Sequence, residues 1–186
     1  MCSLGNRIFL VGARACGKTT VGRHLASLLQ WTFIDTDQML MRIAGMTVAE
    51  MVRLHGWEAF RAQESAVLRQ LCAAAPGEGE RAPGGLVIAT GGGMILAEEN
   101  RRMLRACGRV FYIQASVETL ASRLAAVPEE GQRPALTELG LKDEVTQVLA
   151  LREPLYRATA HRVLDGSRPP ESVARAAWED YTGGAA

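Results

Sequence analysis

The chain has 186 residues, of which 48% are hydrophobic and 22% charged, and its formal net charge is +1. That length fits one compact domain with a substantial core, and the composition argues against disorder. The near-neutral balance points to neither a nucleic-acid nor a membrane partner, and no apolar run approaches the roughly 20 residues that span a bilayer.

The cysteines, Cys2, Cys16, Cys72 and Cys107, form no CxxC pair and no histidine cluster joins them. Neither a zinc site nor a disulfide framework is expected. They read as reduced thiols of a cytoplasmic protein. The opening MCSLGNRIFLVG is too short and too soon interrupted for a signal peptide.

Ile8 to Val11 is a short apolar run, as expected of a strand buried on both faces. A helix follows from about Lys18 to Leu29, with Val21, Leu25, Leu28 and Leu29 on one stripe. WTFIDTD reads as a second strand ending in acidic residues. Thr47 and Glu50 fit a capping box opening a helix through MVRLHGWEAFRAQESAVLRQLCAAA, broken near Gly56. PGEGERAPGG, residues 76–85, is a polar loop expected on the side of the sheet away from the ligand cleft. LVIAT is a third strand leading into Gly91-Gly92-Gly93. AEENRRMLRAC is a helix stopped by Gly108, RVFYIQA is a strand, and Ser116 is placed to cap VETLASRLAAV. After the loop-like PEEGQRPALTELG come a helix over Asp143 to Ala160, the strand HRVLDG and a closing helix, PESVARAAWEDY.

Strands alternate with helices throughout, which predicts a three-layer α/β/α fold with a central parallel sheet. Ligands bind such sheets at the carboxyl ends of the strands. The informative residues therefore lie just after each strand.

After the first strand, Gly12-Ala13-Arg14-Ala15-Cys16-Gly17-Lys18-Thr19 matches G-x-x-x-x-G-K-[ST]. Glycines let successive N–H groups curl toward phosphate oxygens. The helix start adds its positive dipole end. Lys18 is a point charge for phosphates, and Thr19 offers a hydroxyl to magnesium. After the second strand come Asp35 and Asp37. Either they point two carboxylates into one cleft from an extended chain, or they are a turn and helix-start pair. No aspartate follows LVIAT or RVFYIQA, so Asp35 is the best candidate for a second magnesium-associated acid. Gly91 to Gly93 suggest the close approach of a ligand or another backbone. Arg61, Arg133 and Arg152 have the forked geometry that suits carboxylate and phosphate. Arg133 sits in a loop between helices that could act as a flap. His24, His55 and His161 are scattered and carry no catalytic role. Trp57 and Phe60 read as packing residues.

Together, GARACGKTT, FIDTDQML, MTVAEMVRLHGWEAFRAQE, VIATGGG, PEEGQRPALT and LREPLYRATAH resemble the shikimate kinase family in order and spacing, from about Arg7 to Arg168. DTDQ with MTVAE looks most like the second isoenzyme type of enteric bacteria. The resemblance implies a small P-loop kinase, one domain over residues 1–186, with a substrate-binding segment over about 36–64 and a lid over about 127–141. It implies transfer of the ATP γ-phosphate to the 3-hydroxyl of shikimate, with magnesium, in a cytoplasmic monomer of the aromatic amino acid pathway. It implies ATP contacts from Gly12, Ala15, Cys16, Gly17, Lys18, Thr19, Thr20, Arg133 and Arg168. Asp35 joins Thr19 at magnesium, and Asp37 is the base on the shikimate hydroxyls, with Lys18 and Arg133 assisting the transfer. Arg61 and Arg152 hold the shikimate carboxylate, and Gly92 gives a backbone contact. The family usually has glycine where this chain has Ala15, so a positive φ there would cost roughly 1 kcal/mol. Rival readings are another small-molecule kinase of this fold, such as a gluconate kinase, and a non-catalytic nucleotide-binding regulator.

Overall fold

The computed structural model describes residues 6–73, 84–126 and 140–183. Five strands form one sheet: β1 (Arg7–Val11), β2 (Thr32–Asp35), β3 (Leu86–Ala89), β4 (Arg109–Gln114) and β5 (Arg162–Asp165). Their order is β2-β3-β1-β4-β5, and every neighbouring pair is parallel. The helices are α1 (Lys18–Leu29), α2 (Thr36–Ala44), α3 (Val48–Ala73), α4 (Glu98–Cys107), α5 (Val117–Ala126), α6 (Leu141–Thr159) and α7 (Pro170–Thr182). A short 3-10 turn, Met94–Leu96, precedes α4. This is the expected three-layer arrangement, with the strand run LVIAT ending one residue early, at Ala89.

Alternation along the strands divides the core in two. Phe9, Val11, Ile88, Val110 and Tyr112 face Leu40, Met51, Phe60, Leu68, Leu104 and Tyr156. Ile8, Leu10, Val87, Phe111 and Ile113 face Val21, Leu25, Leu120, Val173 and Ala177. Both faces of β1 are buried, which is why its sequence is continuously apolar rather than alternating.

The stripe on α1 differs from the expected one. Val21, Gly22, Leu25 and Ala26 are buried, whereas Leu28 is 45% exposed. Gly22 sets this face: a Cβ there would lie 2.4 Å from the Phe33 ring, so the helix turns its thinnest side to β2.

Local signals account for most element boundaries. The Thr47 hydroxyl accepts from the Glu50 N–H, and the Glu50 carboxylate accepts from the Thr47 N–H, completing the capping box. Ser116 Oγ accepts from the Thr119 N–H at the start of α5. Gly56 breaks α3 with φ 79° and ψ 168°, a conformation open to glycine and strained for other residues. Arg105 reaches across from α4 and donates to the carbonyls of Ala158, Thr159 and Ala160, closing the carboxyl end of α6. Of the 76–85 loop, Gly84 and Gly85 lie within the described residues. They bond to Asn6 and Thr32 at the amino-terminal edge of the sheet, the side expected.

Candidate active site

The loop after β1 and the start of α1 form one wall of a cleft of about 890 Å³. Arg14 to Thr20 line it, as do Asp35, Asp37, Gly92 and Arg168. Lys18 Nζ donates to the carbonyls of Gly12 at 3.0 Å and Ala13 at 2.7 Å, which holds the ammonium over the mouth of the loop. It also lies 3.6 Å from the sulfur of buried Cys16. Gly17 caps α1 at φ 100°. Ala15 sits at φ 60°, so the left-handed conformation that favours glycine is occupied here by alanine.

Asp35 connects two elements. One carboxylate oxygen accepts from the Thr19 hydroxyl at 2.8 Å. The other accepts from the N–H groups of Asp37 and Gln38 and so caps α2. The extended pair of carboxylates is therefore not what forms. The strand ends at Asp35, Thr36 opens the helix, and Asp37 sits in its first turn. The helix-start arrangement applies, and both carboxylates still line the cleft. Hydroxyl and carboxylate oxygens are hard donors that suit a magnesium-type cation. No cluster of three or more His, Cys, Asp or Glu that could hold a metal occurs among the described residues. Magnesium ordinarily takes one or two carboxylates together with substrate phosphate oxygens and several retained waters, and Thr19 with Asp35 fits that pattern.

The triple glycine is where the arginines converge. A Cβ on Gly93 would lie 2.0 Å from Arg61 Nη1, so the guanidinium occupies the space that a side chain would need. Arg61 lies over the rings of Trp57 and Phe60, at 5.2 and 5.4 Å, and pairs with the buried Glu64 carboxylate. The two aromatics thus seat a cation as well as packing. From α6, Arg152 donates to the Gly92 carbonyl at 3.3 Å, and Tyr156 donates to the same oxygen at 2.6 Å. A Cβ on Gly92 would lie 3.4 Å from the Gly12 carbonyl, so this turn abuts the loop after β1. Thr36, fully buried, accepts from the Gly91 N–H. Two arginines beside a phosphate loop suit an anionic acceptor.

Residues 14–182 match the family model described as shikimate kinase. The chain belongs to the shikimate kinase family. A "Shikimate kinase 2" of Syntrophotalea carbinolica is 51% identical over 89% of this chain and 91% of its own length. The solved structure of a shikimate kinase from Acinetobacter baumannii in complex with shikimate is 32% identical, with a TM-score of 0.84, covering 96% of this chain and 94% of that one. A gluconokinase from Sinorhizobium meliloti, 14% identical with a TM-score of 0.54 over 95% of this chain and 91% of that one, shares the fold alone. The shikimate kinase reaction is ATP-dependent phosphotransfer to shikimate, assisted by a divalent metal, and this is the activity of the chain.

For a shikimate kinase site, several contributors carry no motif of their own. Arg123 of α5 lines the cleft and donates to the carbonyls of Ala15 and Gly166. Its partners lie 108 and 43 residues away in sequence, so no local pattern points to it. Glu64 is three residues from Arg61, and helical pairing at that spacing is the signal that finds it. Tyr156 is four residues from Arg152 on the same face of α6. Burial, and then the negative charge of Glu153, push the Tyr112 hydroxyl up to about 12, and burial pushes that of Tyr156 well above its ordinary range. Both phenols are neutral donors at physiological pH. Arg133 and residues 127–139 of the expected lid lie outside the described residues.

Proposed function

We propose that this shikimate kinase holds ATP with the loop from Gly12 to Thr20, Arg168 and Arg133, and shikimate with Arg61, Arg152, Asp37 and the Gly92 backbone. Asp37 accepts the proton of the 3-hydroxyl as that oxygen attacks the γ-phosphorus, the bond from the γ-phosphorus to the β,γ-bridging oxygen breaks and ADP leaves. Lys18 and Arg133 face the charge that spreads over the transferring group. Thr19 and Asp35 hold magnesium, which neutralises phosphate charge when bound. Residues 127–141 close over the site and exclude water. The chain is one kinase domain over residues 1–186, working as a cytoplasmic monomer, and residues 36–64 form its acceptor segment. No helix among the described residues is long and apolar enough to cross a membrane.

The observation that carries this reading is a convergence. The phosphate loop, Asp37 and Gly92 line one cleft, and the arginines beside the triple glycine come from two different helices. A hydroxyl acceptor bearing a carboxylate matches that set: one base for its proton, and two guanidinium forks for its charge.

The test is ADP release from magnesium ATP, with and without shikimate and across a panel of sugar acids. Shikimate-dependent release is expected. Release that tracks gluconate instead, or ATP binding without turnover, would overturn the reading.

A further inference from the structure

The geometry points to Tyr156 as a positioning residue that keeps the Gly92 carbonyl hydrogen-bonded and so leaves the Arg152 guanidinium available to the acceptor's carboxylate. This rests on the reading that Arg152 and Gly92 meet shikimate.

Three consecutive glycines have more backbone freedom than any other tripeptide, so a site built on them needs external pins. Thr36 holds the Gly91 N–H and the Leu96 N–H holds the Gly93 carbonyl, and two further pins hold the peptides between the glycines. The Gly91 carbonyl accepts from the Met94 N–H at 3.0 Å, which fixes the peptide carrying the Gly92 N–H. The Gly92 carbonyl accepts from Tyr156 at 2.6 Å, which fixes the peptide carrying the Gly93 N–H. Each peptide is planar and trans, so holding its oxygen aims its N–H the opposite way.

Tyr156 is built for this role. Its side chain is 1% exposed, and its ring stacks on Tyr112 with centroids 5.1 Å apart and planes 20° from parallel. The hydroxyl is therefore delivered from a rigid base. Arg152 shares the same carbonyl at the longer distance of 3.3 Å. A buried carbonyl left without a donor is costly. With Tyr156 in place, Arg152 leaves Gly92 without orphaning it. Without the hydroxyl, Arg152 becomes the donor that Gly92 requires, and each shikimate must compete for it.

The experiment is Tyr156→Phe, which keeps the ring and its stack, combined with Arg152→Ala and the double variant. Steady-state kinetics are measured against shikimate and against ATP. The expected result for Tyr156→Phe is a rise in shikimate KM of about tenfold, with ATP KM changed less than about twofold. Arg152→Ala raises shikimate KM more, and the double variant falls short of the product of the two single effects. A merely structural hydroxyl would lower thermal stability and move both KM values together. The proposal alone is overturned if Arg152→Ala raises shikimate KM and Tyr156→Phe does not. If neither substitution moves it, the assignment of Arg152 to shikimate falls as well.

Discussion

Thr19 donates to Asp35 at 2.8 Å, while the other oxygen of that carboxylate caps α2. A single side chain thus ties the nucleotide loop to the helix that carries Asp37. The two duties separate by substitution. Asp35→Asn keeps an oxygen for the cap but removes the charge. The metal concentration for half-maximal rate is expected to rise roughly 10- to 100-fold, with little change in thermal midpoint. Asp35→Ala also loses the cap, about 1 kcal/mol, or ~2–4 °C in a chain of this size. A metal titration unchanged in Asp35→Asn would remove Asp35 from the metal site.

Asp37→Asn is expected to lower kcat by about 10²- to 10⁴-fold, the usual contribution of a positioned base. ATP affinity, measured by calorimetry, is expected to stay within about threefold, because the substitution keeps the size and helix position of residue 37. Equal losses in both would reassign Asp37 to nucleotide binding.

Gly93→Ala tests the arginine seat without touching an arginine. The added Cβ would fall 2.0 Å from Arg61 Nη1, so the guanidinium must move. Displacements of about 1 Å cost up to ~100-fold in rate. The expected outcome is a roughly 10- to 100-fold loss of kcat/KM for shikimate, with ATP KM nearly unchanged. Wild-type kinetics in this variant would show that the position of Arg61 does not matter.

Arg61→Ala removes the cation from a carboxylate that is 1% exposed. The cost is roughly 2–3 kcal/mol, below that of a fully buried pair, because Arg61 itself is 24% exposed. Glu64→Gln added to this variant should restore most of the stability and none of the shikimate affinity. Urea midpoints and shikimate titrations of the single and double variants separate the two roles.

Stability is expected to decline in mild acid through His161. Its Nδ1 accepts from the Val110 N–H, so the ring is bound in its neutral form. Burial, then the charges of Arg105 and Arg109, hold its pKa below the ordinary 6.5. The unfolded chain takes up the proton first, so this contribution is intact above about pH 6.5 and is lost as the pH falls below it. Urea midpoints between pH 5 and 7.5 should show that slope, and His161→Gln should flatten it.

Much of the fold was legible because its signals are local. The apolar run of β1, the capping box at Thr47 and the break at Gly56 each depend on a few adjacent residues. Asp35 and Asp37 were legible as a pair but not in geometry, since an aspartate at a strand end is equally a helix cap, and here the cap prevails. The alanine at position 15 was visible as a departure; that it stands at φ 60° required the backbone. Ala15→Gly relieves about 1–2 kcal/mol of strain but adds backbone entropy to the unfolded chain. Arg61 and Arg152 were legible as candidate anion-binding forks, but their assignment to the shikimate carboxylate came from family resemblance, because spacing alone does not separate them from the other arginines. Arg123 was invisible, its contacts being made by chain-distant carbonyls.

A Cβ added at Gly92 would lie 3.4 Å from the carbonyl of Gly12, so under the proposed assignments the nucleotide and acceptor sides of the cleft meet at this turn. Retooling this catalyst for a different acid has two routes of unequal risk. The helices bearing Arg61 and Arg152 can be redesigned from the outer side, with that turn left in place. A single Cβ at Gly92 would meet the Gly12 carbonyl and the Arg14 N–H at ordinary contact distance, but a larger side chain directed toward them would press on the nucleotide side too, so acceptor preference and ATP handling would drift together in a library of large residues at that position.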